Sequence, residues 1–213
     1  MIKIHFEDNQ IKVFRKRKSI GVITYNMNRF HKNKVYVDLH LKEYELEDGK
    51  EIFREIQQHF SKPLQSMLYE NETDKVYFLK HSGFELKRKC YEYKVQKKDL
   101  KILVCSNSKL DIITHLDAEY RYCMENLYDK YQENHKNISP LTATIEEFGR
   151  DLPKEVYIQK DNNDIMHYAF VEQNEIAYIG STNFDLLNQF IVRLLDVIFK
   201  EYDSIEFEVD DND

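Results

Sequence analysis

Glycine and proline are scarce in this chain, five and three among 213 residues. Loops must therefore be built from Asn, Asp, Lys and Ser, and each glycine marks a place where the backbone turns or is closely approached. Tryptophan is missing altogether, although fifteen Tyr and thirteen Phe leave ample aromatic material for a core. Cysteine is limited to Cys90, Cys105 and Cys123. Their number and spacing fit neither a disulfide framework nor a zinc site, which suits a reducing compartment. No apolar run approaches the roughly 20 residues that cross a bilayer. The opening Met1-Ile2-Lys3-Ile4-His5-Phe6 alternates like a strand and lacks the apolar core of a signal peptide, so a cytoplasmic location without membrane attachment is expected. The eight histidines contain no His-x-x-x-His pair. A Gly-x-Ser-x-Gly elbow, a Walker loop and a Gly-x-Gly-x-x-Gly fingerprint are also missing, which leaves zinc enzymes, nucleophilic hydrolases, nucleotide phosphatases and dinucleotide enzymes without sequence support.

What is present describes a globular protein: 42% hydrophobic and 32% charged residues in 25.8 kDa, enough for one large domain or two small ones. The net charge of −7 and pI near 5.7 argue against a nucleic-acid surface, because backbone binding depends on Lys and Arg releasing counterions from phosphates. Two basic runs, Arg15-Lys16-Arg17-Lys18 and Lys87-Arg88-Lys89, are expected on strands, where alternation divides their charges between two solvated faces.

Period-two alternation predicts strands over residues 2 to 6, 11 to 15, 19 to 27 and 34 to 41, an antiparallel meander. A helical period then places Ile52, Phe53, Ile56 and Phe60 on one side of a helix over 46 to 60, stopped by Pro63. A strand at 64 to 69 would complete a parallel β-α-β step, followed by a helix near 74 to 81 and a strand over 84 to 95. After the polar joint at 96 to 99, a second unit is expected to open with a strand from Leu100 to Cys105. A helical region from about 110 to 135, a short helix from Thr144 to Arg150 and strands at 155 to 160, 164 to 172 and 175 to 180 follow. A helix from Phe184 to about Tyr202 and a last strand from Ser204 to Val209 end the chain, with Ile205, Phe207 and Val209 on one face. The fold class is α+β, with mixed, mostly antiparallel sheets, and the expected division is 1–98 and 99–213.

The segment Asp74-Lys75-Val76-Tyr77-Phe78-Leu79-Lys80-His81-Ser82-Gly83-Phe84 places a glycine where a helix ends in a left-handed residue, with an aromatic ring able to fold back on the last turn. It resembles the end of the GNAT acyltransferase core, where a helix stops at Gly-Phe and the chain re-enters the sheet. The second half is similar to that family too: Ile176-Ala177-Tyr178-Ile179-Gly180-Ser181, the amphipathic helix and Ile205-Glu206-Phe207-Glu208-Val209 resemble its central strand, cofactor helix and next strand. The resemblance implies two GNAT-like halves. The first lacks the two helices that normally follow strand one, and the second lacks the final helix and strands. The first half, another subunit as in a homodimer, or nothing at all could complete the second.

The resemblance further implies acetyl-CoA as co-substrate and a small-molecule or peptide amine as acceptor, with a helix start holding the pyrophosphate. Neither half has the family's Gln/Arg-x-x-Gly-x-Gly/Ala loop. In the first, Glu43, Glu45, Glu47 and Asp48 would repel an anion, and they read equally as residues that stabilise a helix start. In the second, Ile179, Gly180, Ser181, Thr182, Asn183 and Phe184 are the cofactor-binding candidates. Their hydroxyl and amide groups can serve an anion or cap the helix. The family's thiolate-protonating tyrosine corresponds to Leu79, and Tyr77 lies about 200° around the helix from it. Glu175, Glu206, Glu208 and Tyr77 remain as catalytic candidates, and no metal is expected. The activity so implied is N-acetyl transfer by direct attack of an amine; the competing expectation is an inactive GNAT-fold binding or assembly module.

Overall fold

The computed structural model describes residues 1–100 and 110–211. They gather into two compact units, Met1–Lys87 with His135–Ala143, and Arg88–Asn134 with Thr144–Asp213.

In the first unit β1 (Ile2–Glu7), β2 (Gln10–Arg15), β3 (Lys18–Asn26) and β4 (Val35–Leu41) form the expected meander. α1 (Leu46–Phe60) then leads to β5 (Leu64–Gln65), which lies parallel to β4. Alternation sends Ile11, Val13, Ile23, Val35, Val37 and Leu39 to one face, where α1 delivers Ile52, Phe53 and Ile56 into the same core. Burying each such aliphatic side chain stabilises the fold by roughly 1.5–3 kcal/mol. The basic run at 15–18 is not a continuous strand. Lys16 and Arg17 make the β2–β3 turn with φ of 48° and 73°, the paired positive values of a tight hairpin. Arg15 is not merely solvated either, since it pairs with Glu45 at 2.8 Å and with Asp48.

α2 (Thr73–His81) ends as its sequence requires. The N–H of Phe84 donates to Leu79 O (3.0 Å) and that of Gly83 to Lys80 O (3.1 Å), while Gly83 takes φ 99°, a Schellman closure. The Phe84 ring meets Phe53 edge-on at 4.8 Å. The segment His135–Ala143 is tied to the same unit by Thr142, whose N–H donates to Phe30 O (2.7 Å). Its hydroxyl donates to Phe30 O and accepts from the Lys32 N–H.

The second unit is built on a six-stranded sheet of order β6-β11-β10-β9-β8-β7. These are β6 (Cys90–Gln96), β7 (Asp111–Thr114), β8 (Glu155–Asp161), β9 (Asp164–Glu172), β10 (Glu175–Ser181) and β11 (Ser204–Asp210). α3 (Ala118–His135) and α4 (Ile145–Gly149) pack on one face, through Tyr120 against Phe170 and Phe148 against Tyr178. α5 (Leu187–Ile198) covers the other with Phe190, Leu194 and Ile198, against Ala169, Val171, Ile176 and Ile205.

Several elements differ from expectation. The strand foreseen at 84 to 95 starts at Cys90 and joins the second sheet, antiparallel to β11, with Tyr93 stacked on Phe207 at 5.2 Å and Arg88 paired to Asp210 at 2.5 Å. The apolar alternation of β11 needs a partner on that side, and β6 supplies it. The strand at 64 to 69 shrinks to Leu64–Gln65. Residues 111 to 114 are strand, not helix, because Asp117 accepts the N–H and hydroxyl of Thr114 and closes a turn there. The strand from Leu100 to Cys105 lies, beyond Leu100, outside the described residues; Leu100 itself follows a short 3-10 turn. The last helix begins at Leu187 and ends at Ile198, after a 3-10 turn at Phe184–Leu186. Phe184, expected as the first residue of that helix, is 76% exposed.

Candidate functional site

Among the described residues two strand pairs are parallel, and in each the first strand leads to the second through a helix. In the first unit β4 and β5 pair only at Val35–Leu64 and Tyr36–Gln65. In the second, β10 and β11 pair only at Glu175–Glu206 and Ile176–Phe207. A bulge between Ile176 and Tyr178 bends β10 there. The strands then part while each keeps its antiparallel neighbour, β9 and β6. Such bulges re-aim side chains where pairing ends.

The two helix starts have opposite electrostatic character. At α1, Asp48 accepts the N–H of Glu45 at 3.0 Å, and Arg15 clamps both carboxylates. That helix start is filled by its own anions, which suits helix stability and leaves no attraction for a phosphate. At the end of β10 the carboxylate count falls to one, Asp185. The Lys130 ammonium on α3 donates to Ser181 O at 2.7 Å, and burial holds its pKa below the ordinary lysine value.

The candidate residues at this turn are already hydrogen-bonded. Ser181 Oγ donates to Asn183 O at 2.8 Å and accepts from the Asn183 N–H at 3.2 Å. With its proton so committed, it receives the Nδ1–H of His167 at 2.9 Å, which places the lone pair of the neutral imidazole on Nε2. Nε2 is buried and has no protein partner. The ring stacks on Phe190 at 5.4 Å, and burial lowers its pKa. Thr182 extends the pairing with β9 by donating from N (2.9 Å) and Oγ1 (3.2 Å) to Met166 O. Asn183 Oδ1 accepts from the Asp185 N–H at 2.9 Å, so the amide is the residue that caps. Gly180 lies flat against Tyr168, whose hydroxyl donates to Asn126 Oδ1 at 2.8 Å. Ile179, 39% exposed, and Phe184 flank the turn as exposed apolar groups.

The carboxylate candidates are spread along the strands. Glu175 and Glu206 face each other in the parallel pair. Glu206 is salt-bridged to Lys94 at 2.7 Å, which lowers its pKa. Glu208 is exposed and 3.6 Å from the Cys90 sulfur. Tyr77 belongs to the first unit, 61% exposed, with its ring 6.5 Å from that of His81, while Leu79 is buried in the core. Three groups escape a reading of the sequence: His167, Lys130 and Tyr178. Tyr178 follows the bulge, and its pKa is raised first by burial and then by the charges of Glu208, Glu175 and Asp151. A phenol so placed stays protonated near neutral pH. Nothing in their local sequence marks these three, because β9, α3 and β10 converge only in the folded sheet. The Cys90 and Cys123 thiols are both pushed up to about 12, chiefly by burial, so neither is a thiolate nucleophile near pH 7. Among the described residues no three His, Cys, Asp or Glu gather as metal ligands, and no helix is long and apolar enough to cross a membrane.

No protein-family model matches the sequence, and no curated protein is significantly similar to it. Solved structures do match. A GCN5-related N-acetyltransferase from Sphaerobacter thermophilus superimposes with a TM-score of 0.56 over 95% of this chain and 71% of its own, at 12% identity. An acetyltransferase of the GNAT family from Colwellia psychrerythraea gives 0.50 over 96% and 76%, at 10% identity. The fold is GNAT-like. β10, α5 and β11 are the strand, helix and next strand whose sequences resemble that family in the second half. The first unit offers the same β-α-β arrangement around a helix start occupied by carboxylates.

Proposed function

We propose that this protein is an N-acyltransferase built from two GNAT-like halves, transferring an acetyl group from acetyl-CoA to a small-molecule or peptide amine, with the second half holding the co-substrate. The observation that carries this reading is the parting of β10 from β11 after only two paired residues, directly before the turn that leads into α5. Bound acetyl-CoA would supply a thioester whose carbonyl carbon accepts an amine. Its residues of contact would be Ile179 and Gly180 along the strand and Ser181, Thr182, Asn183 and Phe184 at the turn. The turn suits an anion better than the α1 start does, since Lys130 stands behind it and Asp185 is the sole acidic side chain in it. The protein's own chemistry is proton management. Tyr178, kept protonated, is the proton donor beside the parting strands, a role that Leu79 cannot fill in the first half. Glu175, or Glu208 beside the Cys90 thiol, would accept a proton from the amine, whereas the ion pair with Lys94 holds Glu206 in its charged state as a structural group.

Isothermal titration with acetyl-CoA and with CoA tests the reading. Saturable binding between about 1 μM and 1 mM is expected, the usual range for enzyme substrates. Thr182→Asp adds a carboxylate at an exposed position of the turn and should abolish binding while leaving the fold intact. Absence of binding at millimolar ligand would favour the second reading, a GNAT-like module retained for binding or assembly. Two observations favour that reading: the carboxylate-filled start of α1 and the prior engagement of the Ser181 hydroxyl.

A further inference from the structure

Among the described residues, β6 closes one side of the second sheet and leaves its own outer side as the sheet edge. An open edge presents a row of backbone donors and acceptors that proteins cover or blunt. Cys90 to Lys94 are exposed along it, and Tyr91 and Tyr93 retain 44% and 48% of their surface. The register with β11 defines the two faces. Tyr91, Tyr93 and Val95 stand beside Val209, Phe207 and Ile205 on the α5 side, while Cys90, Glu92 and Lys94 stand beside Asp210, Glu208 and Glu206 on the other.

We propose that β6 pairs antiparallel with β6 of a second copy of this chain, about a two-fold axis through Tyr93, to give a homodimer with one sheet running through both second units. The sequence of the strand selects that axis. Directly opposed residues of an antiparallel pair share a face, so the axis must pass through a residue, and the central choices are Glu92, Tyr93 and Lys94. An axis at Glu92 sets two glutamates against each other, and one at Lys94 sets two lysines; like charges directly opposed are destabilising. An axis at Tyr93 opposes Tyr93 to Tyr93, Tyr91 to Val95 twice, and Glu92 to Lys94 twice. Every apolar residue then meets an apolar one and every charge its opposite, as a self-complementary two-fold contact requires. Within its own chain Glu92 faces Glu208, a like-charge pair that a second lysine relieves.

Sedimentation equilibrium on the full chain should give twice the 25.8 kDa monomer mass. Glu92→Lys should shift the protein to monomer, and at dilutions where the wild type is itself dissociated its urea midpoint should equal or exceed the wild type's, because the new lysine faces Glu208 of its own chain. That behaviour separates a lost interface from a damaged fold. In a Cys90→Ser background, Tyr93→Cys should oxidise to a covalent dimer. Tyr91→Cys should not, since its symmetry mates stand four residues apart, about 13 Å at the rise of a strand and beyond disulfide reach. A wild-type chain that sediments as a monomer at all concentrations, a dimer insensitive to Glu92→Lys, or equal cross-linking at positions 91 and 93 overturns the proposal.

Discussion

The buried His167 shows how a single side chain records its surroundings. Burial holds the imidazole below its ordinary value of 6.5, so the unfolded chain takes up a proton there before the folded one does. The stability owed to the neutral ring is complete above the unfolded value and is lost as pH falls from it toward the depressed folded value. Urea midpoints measured from about pH 7 down to about pH 5 should therefore decline, and His167→Gln should flatten that part of the decline. Gly180 is a second such case. A methyl group there would overlap the ring of Tyr168, which is 1% exposed and anchored to Asn126. Gly180→Ala should lower stability by about 1–3 kcal/mol, the usual cost of overpacking, and thermal melts would show it. Neither residue's packing is legible in the sequence. Gly180 stands out only as one of five glycines, and His167 looks like any strand histidine until Ser181 is brought opposite it.

At the level of elements, those whose ends are encoded locally came out as read. α1 runs over Leu46–Phe60 as its period predicts, with Asp48 closing its first turn. α2 stops at Gly83-Phe84 through bonds that involve only its own last residues. α4 begins at Thr144, whose hydroxyl accepts the Glu147 N–H at 3.2 Å while the Glu147 carboxylate accepts the Thr144 N–H at 2.9 Å. Thr144→Ala should cost about 1 kcal/mol, measurable as a lower urea midpoint with an unchanged slope. The start of α5 was less legible. Its apolar spacing extends back to Phe184, yet Asn183 takes the Asp185 N–H and starts a 3-10 turn, leaving Phe184 outside the core. Periodicity cannot see this, because a local side chain competing for a backbone donor decides it.

On the scale of the whole molecule, the chain leaves the first unit after Lys87, returns to it for His135–Ala143, and leaves again. Thr142 holds that return through three hydrogen bonds involving Phe30 and Lys32. Thr142→Val removes the hydroxyl at nearly constant volume and with it the bonds to Phe30 O and from the Lys32 N–H, so a loss of about 1 kcal/mol and faster limited proteolysis within 136–143 are expected. No sequence pattern marks this excursion, since a threonine between Leu141 and Ala143, just after Pro140, reads as an ordinary loop. The same holds for β6. Its alternation announces a strand, but alternation is a property of one strand, and the choice between two sheets rests on which edge offers a matching face. What the sequence determined by itself was the α+β class, the meander, the parallel β-α-β step of the first half, and the caps and turns that close on neighbouring residues. Those features depend on periodicity and on hydrogen bonds a few residues long. Tertiary structure alone decided that β6 completes the second sheet, that His135–Ala143 belongs with the first unit, and that His167 and Lys130 both reach Ser181, because each depends on packing between residues far apart in the chain.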